Sequence, residues 1–176
     1  MRLTLELAER GLMGGELPIG AIVVMKSDVI AEAYCSDKQR SMLAHPELLV
    51  LSTVDRKHPT LHERRQMTLY TNLEPCLMCL GAAMSFCAGQ IVYGADSPAD
   101  GAATKLSQVS FGDATYPEYK MPTIVSGVLK DESRVLFQAF IEKSTDGLLV
   151  NFARGVLRAD SDNRNTIDSF SRRSKP

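Results

Sequence analysis

The feature that most constrains this chain is Cys76-Leu77-Met78-Cys79. It stands where a strand-like run, "MTLYTNL", passes through Glu74-Pro75 into "LMCLGAAMSF", a stretch apolar enough to be a buried helix. A strand followed at once by a buried helix calls for a sheet covered by helices. The same junction sets two thiols one helical turn apart at a helix start, where unpaired N–H groups favour the thiolate form. Two thiolates at that spacing can share one tetrahedral zinc ion, but a closed structural site needs two more ligands, usually another C-x-x-C or a His pair. The only other cysteines are Cys35 and Cys87, so no second C-x-x-C exists.

A partner set lies upstream in "LAHPELLVL", where His45 and Glu47 flank Pro46 ahead of a leucine-rich run. Proline suits the first position of a helix, so "PELLVLSTV" reads as a buried helix with His45 at its mouth. His45, Cys76 and Cys79 would supply three ligands and leave the fourth position for water, the pattern of a catalytic rather than a structural zinc. Zinc lowers the pKa of a bound water toward about 7. A carboxylate two residues from the histidine, Glu47, can then serve as general base and general acid in turn.

The rest of the chain supports one α/β domain. Apolar residues at helical spacing run from Leu3 to Leu12 and stop at Gly14-Gly15. "LPIGAIVVM" and "VIAEAY", joined by the polar Lys26-Ser27-Asp28, read as a hairpin. "RKHPTLHERRQ" reads as a polar loop and "QIVYGA" as a strand. "DSPADGAATKLSQ" reads as a loop entering a short helix, "TIVSGVL" as a strand, and "DESRVLFQAFIEK" as a helix with Asp131 as N-cap. Residues 1–145 form the expected domain. Residues 146–176 form an extension, helical over "LLVNFARGVLR" and then polar and frayed. With 44% hydrophobic residues and a net charge of −1, the 176-residue chain lacks the footprint of a strong nucleic-acid binder. Arg56, Lys57, Arg64 and Arg65 form one local basic cluster, read as a solvated loop. No apolar run is long enough for a bilayer, which gives a cytoplasmic reading with no membrane partner.

The signature His-x-Glu … Pro-Cys-x-x-Cys is that of the zinc nucleobase deaminases. The chain resembles the cytidine deaminase superfamily, and most closely its bacterial tRNA-adenosine deaminase branch. The resemblance runs through "GGELPIGAIVV", "AHPE", "TLYTNLEPCLMCLGAAM", "IVYGADSPADGAA" and "GVLKDESRVLFQAF". It implies a five-stranded mixed sheet in a three-layer α/β/α sandwich and a homodimer with the active site near the subunit interface. It also implies zinc on His45, Cys76 and Cys79, a proton shuttle at Glu47, and substrate-lining positions at Ile19, Cys35, Pro46 and Pro75.

Two positions depart from that family. Cys35 stands where the tRNA-adenosine branch carries a substrate-reading Asn, and a thiol is a weak donor and acceptor. Pro46 stands where the family usually has Ala, and it removes a backbone N–H from the pocket. Both changes, with the weak overall charge, favour deamination of a small aminated base, nucleoside or related heterocycle, with tRNA adenosine-to-inosine conversion as the alternative. Two other classes stay open on the residues alone. One is a thioredoxin-like redox dithiol, which would leave His45 and Glu47 unexplained; the other is a zinc-holding but catalytically silent partner subunit.

Overall fold

The computed structural model describes residues 1–36 and 41–171, with side chains described as far as Ala159. The chain runs α1 (Arg2–Met13), β1 (Gly20–Met25), β2 (Asp28–Tyr34), α2 (Pro46–Asp55), α3 (Leu61–Arg65), β3 (Met67–Leu73), α4 (Leu77–Phe86), β4 (Gln90–Ala95), β5 (Thr123–Val125), α5 (Lys130–Lys143) and α6 (Gly147–Ser171). The five strands form one sheet in the order β2-β1-β3-β4-β5. β1 pairs antiparallel with β2 and with β3, whereas β3, β4 and β5 run parallel. The sheet is therefore mixed, as expected, with β3 at its centre. The parallel pair β3–β4 requires a crossover, and the apolar α4 supplies it.

Two apolar clusters cover the sheet. One joins Val50, Leu51 and Val54 of α2 and Leu80, Ala83 and Met84 of α4 to Val23, Leu69 and Ile91 of the strands. The other joins Leu12 and Leu17 to Phe137 and Phe140 of α5 and to Val150, Ala153 and Val156 of α6. The three-layer α/β/α sandwich follows: a strand buried on both faces needs an apolar helix layer on each. Gly20 marks how closely α1 lies on the sheet, because a Cβ there would stand 2.4 Å from the Thr4 carbonyl.

Several sequence expectations change. "RKHPTLHERRQ" is not all loop: Thr60 and Glu63 form a reciprocal capping box that starts α3. The short helix expected within "DSPADGAATKLSQ" does not form; that stretch is a series of turns. The strand expected over "TIVSGVL" is only three residues long, and α5 has its N-cap at Leu129, with Asp131 inside the first turn. Asp146 caps α6 by accepting the N–H groups of Leu148 and Leu149. The helix then continues to Ser171, through part of the stretch expected to fray after Arg158, and residues from 172 onward lie outside the described residues. Among the described residues, no helix is long and apolar enough to cross a membrane.

Candidate metal centre and active site

Two helix starts converge on one point. His45 is the N-cap residue of α2 and Cys76 that of α4, both with extended backbone, and neither makes a side-chain capping bond. Neither side chain is used up in capping its own helix. Pro46, at the first position of α2, has no N–H that needs a cap. Cys79 follows one turn into α4 and is buried, while Cys76 is half-buried.

The three donor atoms fit a single ion. His45 Nδ1 lies 3.7 Å from Cys76 Sγ and 3.4 Å from Cys79 Sγ, and the two sulfurs are 3.4 Å apart. Zn–S bonds of about 2.3 Å and Zn–N bonds of about 2.0–2.1 Å, tetrahedrally arranged, give edges of about 3.8 Å and 3.5 Å. The observed triangle is within a few tenths of an ångström of that figure, and no other cluster of this kind occurs among the described residues. The sulfurs are also electrostatically prepared. The hydrogen bond with Cys79, joined by His45, brings the Cys76 thiol down to about 4. The same bond and burial push the Cys79 thiol up. A cation held by both sulfurs would take them as thiolates and displace their protons.

Glu47 stands beside these sulfurs and is buried to 4% exposure. Its Oε1 accepts a hydrogen bond from Thr71 Oγ1 at 3.2 Å, and its Oε2 lies 3.6 Å from Cys79 Sγ. Burial pushes its carboxyl above the usual range, opposed by its own amide N–H, the His45 charge and the Thr71 hydroxyl. A buried carboxyl that is costly to keep charged is suited to pick up and release a proton.

The expected substrate-lining positions fall into two groups. Pro46 and Pro75 are buried beside the ligands, at the starts of α2 and α4. Ile19 and Cys35 are joined by a hydrogen bond from the Cys35 N–H to the Ile19 carbonyl, and both side chains are buried in the α1–α5–α6 cluster. A cavity of about 420 Å³ opens against Cys76, walled by Leu77, Met78, Ala102 and Leu106, with Asp100 and Lys105 as its charged residues.

Sequence reading missed three polar residues on the central strand and the turn after it. Thr71 holds Glu47. Asn72 ties β3 to the loop that carries Ile19. Glu74 accepts the Ser97 N–H at 3.0 Å and the Thr104 N–H at 2.8 Å, one on each oxygen. It thereby stitches the turns after β4 to the ligand turn, where the Ala102 N–H also reaches the Pro75 carbonyl at 3.0 Å. Gly101 must be glycine at this seam, because a Cβ would meet Glu74 Oε2 at 2.2 Å. The signal was present in "TNLE": polar side chains on a strand buried on both faces must find partners.

The basic cluster is engaged internally. Arg64 pairs with Asp55 and lies over the Phe86 ring, and Arg65 pairs with Glu118. Arg56 reaches Ser52 and Thr53, and Lys57 reaches the Ile30 carbonyl.

Residues 1–95 match the family model for the cytidine and deoxycytidylate deaminase zinc-binding region, a span that contains His45, Glu47, Cys76 and Cys79. The tRNA-specific adenosine deaminase of Haemophilus influenzae is 34% identical over 148 residues, 81% of this chain and 82% of that protein. The tRNA-specific adenosine deaminase of Bacillus subtilis is 30% identical over 144 residues, 81% of this chain and 87% of that protein. Among solved structures, one from a study of A-to-I editing by tRNA:A34 deaminases at the wobble position of transfer RNA is similar, with a TM-score of 0.62 and 30% identity. The match covers 77% of this chain and 96% of that one.

Proposed function

This chain belongs to the cytidine and deoxycytidylate deaminase zinc-binding family and is a zinc-dependent hydrolytic deaminase, and from that premise we propose how its residues divide the work and what it acts on. His45, Cys76 and Cys79 would hold the zinc, and Glu47 moves the protons. Zinc, when bound there, supplies Lewis-acid activation of the water that the reaction consumes. Glu47 takes a proton from that water and delivers it to a ring nitrogen of the substrate. It then carries a second proton to the departing amine. The water oxygen ends on the ring carbon, the C–N bond breaks, and nitrogen leaves as ammonia. The observation behind these assignments is the placement of Glu47 Oε2 3.6 Å from Cys79 Sγ, with the other oxygen occupied by Thr71.

The substrate is a small aminated base, nucleoside or related heterocycle. The cavity against Cys76 carries this reading: at about 420 Å³, largely apolar with few charged groups, it has the size and lining of a small-ligand site. The engaged basic cluster supports it, since an RNA substrate is held largely through its phosphates. Deamination of adenosine in tRNA is the second reading, favoured by the relatives named above. Ammonia release from a panel of small aminated bases and nucleosides, run beside a tRNA transcript, separates the two. Turnover confined to the transcript overturns the small-substrate reading. We place the enzyme in the cytoplasm, where its thiols stay reduced, and read it as a homodimer. The exposed Leu49 of α2 and Leu77 of α4 supply the apolar surface that such an interface uses.

A further inference from the structure

We propose that Thr71 is a positioning residue for the Glu47 carboxylate, holding one oxygen so that the other faces the metal ligands; the inference rests on Glu47 as the proton carrier. The terminal torsion of a glutamate is broad and two-fold, so nothing in the side chain itself distinguishes its two oxygens. A donor on one side does. Thr71 Oγ1 bonds Oε1 at 3.2 Å, and the partner oxygen is the one left beside Cys79 Sγ.

The donor is itself fixed. Thr71 is fully buried and sits on the central strand, opposite Ala21 of β1 on one side and Tyr93 of β4 on the other. Its branched side chain has few χ1 choices. A hydroxyl so anchored keeps the carboxylate from rotating between turnovers, which is the pre-organisation that proton transfer needs. Valine has nearly the same shape as threonine and no donor. Serine keeps the donor on a less restricted side chain.

The test uses full-length, zinc-loaded Thr71→Val and Thr71→Ser beside the unaltered chain. Its readouts are ammonia release, zinc content and an infrared difference spectrum in which Glu47→Gln assigns the Glu47 carboxylate band. Thr71→Val should keep one zinc per chain and KM within about twofold. Its kcat should fall about 10- to 100-fold, the range for losing a hydrogen bond to a charged group, and its Glu47 band should shift. Thr71→Ser should recover both kcat and the band. Should the valine variant not fold, Thr71→Ala also removes the donor and carries the same expectation when set beside Thr71→Ser. Unchanged kcat and an unmoved band in the valine variant would contradict the proposal. So would a serine variant as slow as valine, because serine keeps the donor. If the unaltered chain releases no ammonia from any substrate, the small-substrate and tRNA readings fail together, and the infrared band still decides the role of Thr71.

Discussion

Thr71 and Asn72 are neighbours on one strand, and their side chains serve opposite layers. On the α1–α5 side, Asn72 Oδ1 accepts the Gly20 N–H at 2.8 Å. Its Nδ2 donates to the Pro18 carbonyl at 2.9 Å and to Ser133 Oγ at 3.1 Å, and that hydroxyl donates to the Asn72 carbonyl at 2.6 Å. The amide oxygen and the amide nitrogen are both engaged, and the group joins three parts of the chain. On the α2–α4 side, Thr71 occupies one oxygen of Glu47 and leaves the other beside the sulfurs. Both groups are buried and polar. Where every partner belongs to the scaffold the group holds the fold, and where one partner is a candidate metal-ligand thiol the group stands at the reacting centre.

The contrast can be broken from either side. The largest effect belongs to the ligands: His45→Ala or Cys76→Ser should lose zinc and turnover together, and metal analysis that still finds one zinc per chain would refute the ligand set. Asn72→Ala comes next. It strands a buried N–H and a buried carbonyl, each at about 1–3 kcal/mol, so urea unfolding should show a loss of about 3 kcal/mol or more. Its remaining activity should show little change in kcat, because its partners lie in the layer opposite the metal ligands. A fall in kcat without loss of stability would erase the division between the two faces. Ser133→Ala removes a donor to the Asn72 carbonyl and an acceptor for its amide, so a smaller loss of about 1–2 kcal/mol is expected by the same measurement. Cys35→Asn with Pro46→Ala is read on the substrate profile rather than on stability, because an amide in place of the buried Cys35 thiol itself costs stability. That pair should move the substrate profile toward the bases usual for the family, and an unchanged profile would mean that these positions do not read substrate.

What was legible in the sequence was local. C-x-x-C across a strand–helix junction, His-Pro-Glu at a helix mouth and the alternation of strands with apolar helices all lie within short windows, and they led to the sandwich and to the residues brought together here. Thr71 was not legible because its partner is 24 residues away, nor was Asn72, whose partners are 52 to 61 residues away. A polar residue in a strand does not announce which layer it faces. The α3 capping box was local and could have been read from Thr60-x-x-Glu63. The three-residue β5 could not, because its length is set by its pairing with β4 rather than by its own pattern.

The central claim is that Glu47 moves protons at a metal site it does not help to hold. Glu47→Gln tests it most directly, with bound zinc and ammonia release measured on the same preparation. The account predicts one zinc per chain and a turnover lowered about 10²- to 10⁴-fold. Turnover near that of the unaltered chain, or zinc lost along with activity, would contradict it.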